Sequence, residues 1–398
     1  MKILVINSGS SSLKFQLINM TDKKTIARGL FERIGEKKSC FHFRKNSTSE
    51  TIETAIKDHS TAISTALNAL TSRENGILKD ITEIDAVGHR MVHGGEKINK
   101  AEVLTPEIEQ IMEDNAKLAP LHNPAMLKGF RETKKLLPDI PHVAVFDTAF
   151  HSTMPPHAYI YGLPYEYYSE HGIRRFGFHG PSHHYIARRT AEILGKGYDE
   201  VNCITCHMGN GVSIVAIKNG KSVDTSLGFG TMCGVPMGTR AGDFDPDILL
   251  YCISHLGLNA DEMKDVIYKK SGLKGISGLS NDMRDIVDGA ESGNERASLA
   301  LNIFAHTARK HIAALATNLT EGMDALVFTA GIGENSIRVR EEICRGLEFI
   351  GIRLDPEKNH IRGEESEISA DDSPVKILVV PTNEELMIAM ETEEIIRG

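Results

Sequence analysis

No block of lysines and arginines stands out in this sequence, although the two types supply 45 of its 398 residues. A nucleic-acid partner ordinarily leaves a basic stripe, so none is expected. Long apolar runs are missing too. No window approaches the roughly 18–20 apolar residues of a membrane span, and the run after Lys2 is only Ile3 to Ile6, shorter than a signal-peptide core. The expectation is a cytoplasmic protein without a membrane partner. Cysteines are few, six in all, at positions 40, 203, 206, 233, 252 and 344. Only Cys203 and Cys206 are close, in a stretch (201–207) that reads as a strand. A spacing of three there puts them on opposite faces, whereas a redox CxxC opens a helix. Two nucleotide signatures are also absent. There is no GxxxxGK[ST], and neither Gly209 nor Gly331 begins a complete GxGxxG, because Ile214 and Ser336 stand where the third glycine is needed.

What is present is the composition of a globular protein, 41% hydrophobic and 25% charged, able to build a core without disulfides or structural metals. The length exceeds one compact core and suits two domains. The formal net charge of −9 repels anions. An enzyme acting on anionic substrates in this chain must therefore concentrate cations in one cleft.

Strands and helices alternate, the mark of an α/β protein. Lys2–Asn7 is an apolar strand, Ser8–Ser12 a Gly/Ser turn, and Leu13, Phe15 and Leu17 alternate with polar residues in a second strand, predicting a hairpin. The pattern returns at Asn202–His207, Met208–Gly211 and Val212–Ile217, and Asn219-Gly220 suits a further hairpin turn. Two related halves follow, an internal duplication. A helix is predicted over Pro106–Ala119, stopped by Pro120, and another begins with Asn123 as cap and Pro124 in its first turn. Asn294–Thr320 reads as a long buried helix. The polar segments Glu36–Glu50 and Asn359–Pro374 read as surface excursions.

Several short stretches combine glycine, small polar residues and a charge at a strand end, where α/β proteins place ligands. His207, Met208, Gly209, Asn210 and Gly211 form one glycine loop; Gly331, Ile332, Gly333, Glu334 and Asn335 form another. Each suits an anion cradle of backbone amides or is a plain tight turn. Arg90 and Arg240, flanked by glycines, are placed for bidentate contact with carboxylate or phosphate, or for a surface salt bridge. His179 and His183 have the spacing of a zinc pair, but Pro181 begins a helix there and leaves His179 in the loop before it. Asp147 and Glu384 sit at strand ends, as Mg²⁺ ligands or orienters do, or as helix caps do.

Taken together, Asn7–Lys14, Gly88–Gly95, Phe146–His151, Phe178–His183, His207–Gly211, Met237–Arg240, Asp282–Arg284, Gly331–Asn335 and Thr382–Glu385 resemble the acetate kinase family, of the acetate and sugar kinase/Hsp70/actin superfamily. The likeness runs through nearly the whole chain. It implies an α/β fold of two actin-like (ribonuclease H-like) domains related by duplication with a ligand cleft between them: residues 1–148 plus 384–398, and 149–383. It also implies a homodimer that moves a phosphoryl group reversibly between ATP and acetate, giving acetyl phosphate and ADP, with Mg²⁺ or alternatively Mn²⁺. Propionate or another short-chain carboxylate is the alternative substrate. By the resemblance, Asn7 and Glu384 belong to the metal site and Lys14 lies near the phosphates. His207, Met208, Gly209, Asn210 and Gly211 bind ATP, and Asp282, Met283, Arg284 and Gly331–Asn335 hold the adenosine. Arg90, Asp147, His179 and Arg240 surround the transferring phosphoryl group, while Arg90, Val92, Leu121 and Phe178 bind acetate. One departure is Gly230–Gly234, where family members commonly show Thr-Pro-Leu-Glu-Gly. Thr231 takes the place of the pocket proline, which leaves the choice between acetate and propionate open.

Acetate is ionised at neutral pH, its pKa being near that of Glu, about 4.3. No base is needed; the obstacle is repulsion between two anions. Direct in-line transfer is therefore expected, with Mg²⁺, Arg240 and His179 stabilising the phosphoryl oxygens, Arg90 holding the carboxylate and Asp147 orienting. A sugar kinase would instead need a carboxylate base, and a non-catalytic nucleotide switch would hydrolyse ATP slowly. Neither accounts for the paired arginines.

Overall fold

The computed structural model describes residues 1–45, 48–72, 76–118 and 123–398. Ala119, Pro120 and the expected acetate-pocket residue Leu121 lie outside the described residues. The chain forms two compact units, Met1–Phe150 with Asn383–Gly398, and His151–Thr382. Among the described residues no helix is long and apolar enough to cross a membrane.

The first unit holds eight strands: β1 (Lys2–Ser8), β2 (Ser12–Asn19), β3 (Lys24–Glu32), β4 (Ser39–Lys45), β5 (Thr48–Thr54), β6 (Ala86–Met91), β7 (Glu102–Val103) and β8 (His142–Phe146). Their order is β5-β4-β3-β2-β1-β6-β8-β7. The predicted hairpin is there: β1 and β2 pair antiparallel from Lys2↔Asn19 to Ser8↔Leu13, while β6 runs parallel to both β1 and β8. Consecutive Ile3, Leu4, Val5 and Ile6 are all buried, because both faces of β1 are covered. On one face Leu4, Ile6, Phe15 and Phe31 meet Ile63 and Leu67 of the helix His59–Thr71. On the other, Val5, Val143 and Val145 meet Ile388 and Ala389 of the helix Glu384–Arg397. Gly88 makes that second contact close. A Cβ there would stand 2.5 Å from Thr392 Oγ1 and 2.9 Å from Ile388 Cγ2, so its absence lets the C-terminal helix seat against β6.

The second unit holds β9 (Cys203–Met208), β10 (Val212–Lys218), β11 (Lys221–Thr225), β12 (Ala325–Thr329), β13 (Ser366–Glu367) and β14 (Lys376–Val379) in the order β11-β10-β9-β12-β14-β13. This repeats the order β3-β2-β1-β6-β8-β7 of the first unit, whose β4 and β5 have no counterpart among the described residues. An antiparallel three-strand meander leads into two parallel strands, and a two-residue strand lies antiparallel on the outer edge. The predicted duplication is thus present in topology. Cys203 and Cys206 lie on a strand as read; both are buried and free.

Four local expectations need correction. Glu36–Glu50 is not an excursion but largely β4 and the start of β5, an antiparallel pair of which β5 forms the sheet edge. Phe41 and Phe43 of β4 pack on Phe15, whereas β5 is exposed throughout and polar, which hid the pair. The helix from Pro106 ends at Asp114 and passes into a 3₁₀ turn over Asn115–Lys117. Asn123 does not cap its helix by side chain. It is buried, accepting from His93 N–H at 3.2 Å and donating to His93 O at 2.9 Å. Within Asn359–Pro374, Asn359 and Ser369 are fully buried, so that segment is only partly a surface one.

Candidate active site

In the first unit the parallel strands deliver charge to one end of the sheet. Arg90 is the penultimate residue of β6, and Asp147 directly follows β8, its N–H donating to Met91 O at 2.8 Å. The two side chains form a bidentate pair: Arg90 Nε donates to Asp147 Oδ1 at 2.9 Å and Nη2 to Oδ2 at 2.8 Å. Arg90 Nη1 lies 3.4 Å from Glu384 Oε2, in the first turn of the C-terminal helix. Lys14 Nζ pairs with Glu385 Oε1 at 2.5 Å, and Lys14 faces Asn7 across the hairpin. Burial works against the Arg90 charge, but Asp147 and Glu384 more than offset it, and the guanidinium pKa is raised. Burial also pushes the Glu384 carboxyl above its usual 4.5; Arg90 pulls it down, while Asp147 and Glu385 add to the rise. Val92 is buried just beyond β6.

In the second unit, His179 sits in the left-handed region (φ 58°) before the helix Gly180–Leu194, with Pro181 in its first turn as predicted. His179 Nδ1 lies 2.8 Å from Ser213 Oγ, and its ring stacks on that of His207, 4.2 Å between centroids. His207 Nδ1 is 2.7 Å from Ser182 Oγ, itself 2.8 Å from Thr382 Oγ1. Arg240 Nη1 donates to Thr231 O at 2.7 Å. Among the described residues it has no carboxylate partner, and burial lowers its pKa, with Tyr268 acting the other way. The turn carrying Arg240 is held by Gly272 (φ 62°), where a Cβ would fall 2.1 Å from Met237 O and 2.7 Å from Arg240 O. The loop after β9 meets these groups: a Cβ on Gly211 would lie 3.0 Å from His179 Nε2 and 3.8 Å from Arg240 Nη1. On its other side Gly209 approaches Ala330 and His207, and Asn210 Oδ1 approaches Gly238. Met208 is buried at the end of β9.

The expected adenosine motifs differ in character. Gly331–Asn335 is not an open loop but a short helix, Ala330–Asn335, entered through Ala330 at φ 63°. Gly331 is exposed, with open space where a Cβ would point. Glu334 is structural here: its Oε1 accepts from Thr382 N–H at 3.0 Å. Asp282 caps the helix Met283–Glu291, accepting from Arg284 N–H at 2.9 Å, and binds the Arg284 guanidinium at the surface. Met283 is buried. Phe178 is buried in this unit, its carbonyl 2.9 Å from His151 Nε2.

Sequence reasoning missed Ser182, Ser213, Thr382 and Glu385 as site-builders, and with them Arg340. That side chain is fully buried yet has no carboxylate partner among the described residues. It donates to Gly333 O, Glu334 O, Asn359 Oδ1, Asn359 O and Ile361 O, clamping the Gly331–Asn335 segment. Only the Gly333-Glu334 carbonyls link it to a motif legible in the sequence.

The doubled sheet, with the hairpin and parallel strands of one unit recurring in the other, is the actin-like ATPase fold that acetate and sugar kinases share. An acetate kinase from Porphyromonas gingivalis is 46% identical with TM-score 0.94, each chain covered to 99%. A propionate kinase from Francisella tularensis subsp. tularensis is 39% identical with TM-score 0.92, again 99% of each chain. The acetate kinase of Caldanaerobacter subterraneus subsp. tengcongensis is 52% identical over 400 residues, all of both chains. The chain belongs to the acetokinase family, whose model matches residues 2–390.

Proposed function

We propose that this enzyme is an acetate kinase, transferring a phosphoryl group reversibly and directly between ATP and acetate. The observation that carries the chemistry is Arg240, a half-buried guanidinium without a carboxylate counter-charge among the described residues, converging with His179 on Gly211. A cation so left is available to an incoming anion. Arg240 and His179 stabilise the equatorial phosphoryl oxygens, and Gly209–Gly211 supplies backbone amides. Gly331–Asn335 and Asp282–Arg284 flank the adenosine. Lys14 is assigned to the phosphates, and Val92 and Phe178, each buried in its own unit, to the methyl group.

Arg90 is a different kind of cation. Asp147 occupies its Nε and Nη2 edge, so only the Nη1 side addresses the acetate carboxylate. Asp147 is the orienter: both its oxygens accept from Arg90, and ionised acetate has no proton to give up.

In the first unit, three carboxylates (Asp147, Glu384, Glu385) stand against two cations (Arg90, Lys14). Burial raises the Glu384 pKa against the pull of Arg90, and Asp147 and Glu385 add to the rise. A divalent cation fits such a donor set, and Glu384 and Asn7 would hold it. Mg²⁺ keeps waters and substrate phosphates as ligands, so it needs only one or two protein donors. When bound, the ion neutralises charge on the phosphates.

The helix Asp247–His255 supports a homodimer. None of its residues is buried in the single chain, although Ile248, Leu250, Tyr251 and Ile253 lie on it. A patch of that kind marks an interface, and Leu250→Glu is expected to convert a dimer to monomer in sedimentation velocity. A cytoplasmic location, where ATP is plentiful, suits the reaction. The decisive assay traps acyl phosphate with hydroxylamine while offering acetate, propionate, butyrate and glucose. Acetate should be the best substrate. Preference for propionate would select the alternative reading, and glucose consumption without hydroxamate would refute both.

A further inference from the structure

We infer that Thr205, His183 and Ser213 are positioning residues that fix the proton of neutral His179 on Nε2. The consequence for catalysis rests on the placement of His179 at the phosphoryl group; the protonation pattern does not.

The chain of contacts begins in the core. Thr205 on β9 and His183 on the helix Gly180–Leu194 are both fully buried, as is Ser213 on β10. Thr205 Oγ1 lies 2.6 Å from His183 Nδ1. His183 Nε2 lies 2.7 Å from Ser213 Oγ, and the same oxygen is 2.8 Å from His179 Nδ1. Burial, with His151 and His207 beside it, holds the His183 pKa well below 6.5, so its ring carries one proton.

Proton counting then sets the direction. A buried hydroxyl must place its hydrogen on an acceptor, and the side-chain partner of Thr205 is His183 Nδ1. Thr205 therefore donates and His183 Nδ1 accepts. The single proton of His183 is on Nε2 and goes to the Ser213 oxygen. Ser213 has one proton of its own, and the remaining neighbour is His179 Nδ1. Receiving it, neutral His179 keeps its own hydrogen on Nε2, the nitrogen next to Gly211. Reversing the string would strand the Thr205 proton. It would also turn the Nε2 lone pair toward the Gly211 loop, where a phosphoryl oxygen is repelled. The arrangement is a fixed tautomer supplied by second-layer hydroxyls, the usual way an imidazole is given one role.

The test is long-range ¹H–¹⁵N correlation on the full-length, ¹⁵N-histidine-labelled protein above pH 7.5, with His179 assigned by comparison with His179→Gln. Protonated Nε2 and bare Nδ1 are expected at both His179 and His183. A proton on His179 Nδ1 overturns the inference without any variant having to fold. Ser213→Ala removes the donor, so the His179 tautomers should mix. Its kcat should then fall about 10-fold, the worth of one hydrogen bond of roughly 1.4 kcal/mol, with KM for ATP within about two-fold. Ser213→Thr, which keeps the hydroxyl, should restore the Nε2–H pattern. Unchanged His179 signals and kcat in Ser213→Ala would sink the relay. The expected tautomers in a protein that forms no acyl phosphate would instead refute the functional reading alone.

Discussion

Replacing Asp147 by Asn separates an orienting carboxylate from a catalytic base. In the native protein both oxygens are engaged by Arg90, at 2.9 and 2.8 Å. Asparagine retains one acceptor and turns an NH₂ toward a guanidinium N–H, so one charge-assisted bond is lost. Such bonds contribute about 1.5–3 kcal/mol. If Arg90 must hold its position for acetate to bind productively, kcat/KM for acetate should fall by roughly 10- to 150-fold, at 1.36 kcal/mol per decade. Released from Asp147, Arg90 is drawn toward Glu384, now 3.4 Å away, so the loss should show in acetate kinetics more than in KM for ATP. The assay is hydroxamate formation with acetate varied at saturating ATP, repeated from pH 6 to 9. An orienting role predicts a loss that is the same at every pH. A loss of about 10⁴-fold or more, or a new first-order rise with pH, would mean that Asp147 moves a proton. No loss at all would mean that Arg90 needs no such anchor.

Other outcomes follow from the same geometry. Arg240→Ala and Arg90→Ala should each lower turnover about 10³-fold or more in the same assay, the scale of phosphoryl-stabilising arginines; near-normal turnover in both would end their assignment. His142 is buried between His89 Nε2 and Leu137 O, and burial pushes its pKa down to about 4. The unfolded chain binds that proton below about 6.5, so the stability His142 contributes is full above that pH and lost as pH falls toward 4. His142→Gln should remove about 1.4 kcal/mol per pH unit across that window, read as a shallower curve of Tm against pH. An unchanged slope would contradict a neutral buried ring. Arg340→Met takes the guanidinium from four backbone carbonyls and Asn359 Oδ1, of which Glu334 O and Asn359 O keep a backbone N–H donor. It should cost at least about 3 kcal/mol in urea unfolding, and a cost under about 1 kcal/mol would show that water replaces the guanidinium.

The alternation of apolar strands and helices was enough to read the β1–β2 and β9–β10 hairpins and the doubling, because period and turn chemistry are local. The long helix, read over Asn294–Thr320 from its apolar length, runs from Glu295 to Ala316 with Asn294 as its cap. The β4–β5 pair was not. Its outer strand is polar on both faces, and its pairing is decided by the inner strand's Phe41 and Phe43. In the site, motifs located the residues but could not distinguish their states. Arg90 and Arg240 look alike in sequence, each between glycines, yet one is clamped by a carboxylate and the other has none among the described residues. That difference is set by which strand ends lie side by side. Ser213, Thr205 and Ser182 were given no role, since a buried hydroxyl on a strand or in the first turn of a helix is ordinary until a ring nitrogen is found beside it.

The matching strand orders give six strands in one half a twin in the other: β6 with Arg90 answers to β12 leading into Ala330, and the Gly9 turn answers to the Gly209 turn. A shared precursor of half the present length is the simplest origin for such a correspondence. After copying, each duplicate was free to drift from the other's demands. One half has a serine-rich bend beside fixed ion pairs; the other has a glycine loop beside imidazoles. Specialisation of this kind needs no new architecture, only a second copy of the old one.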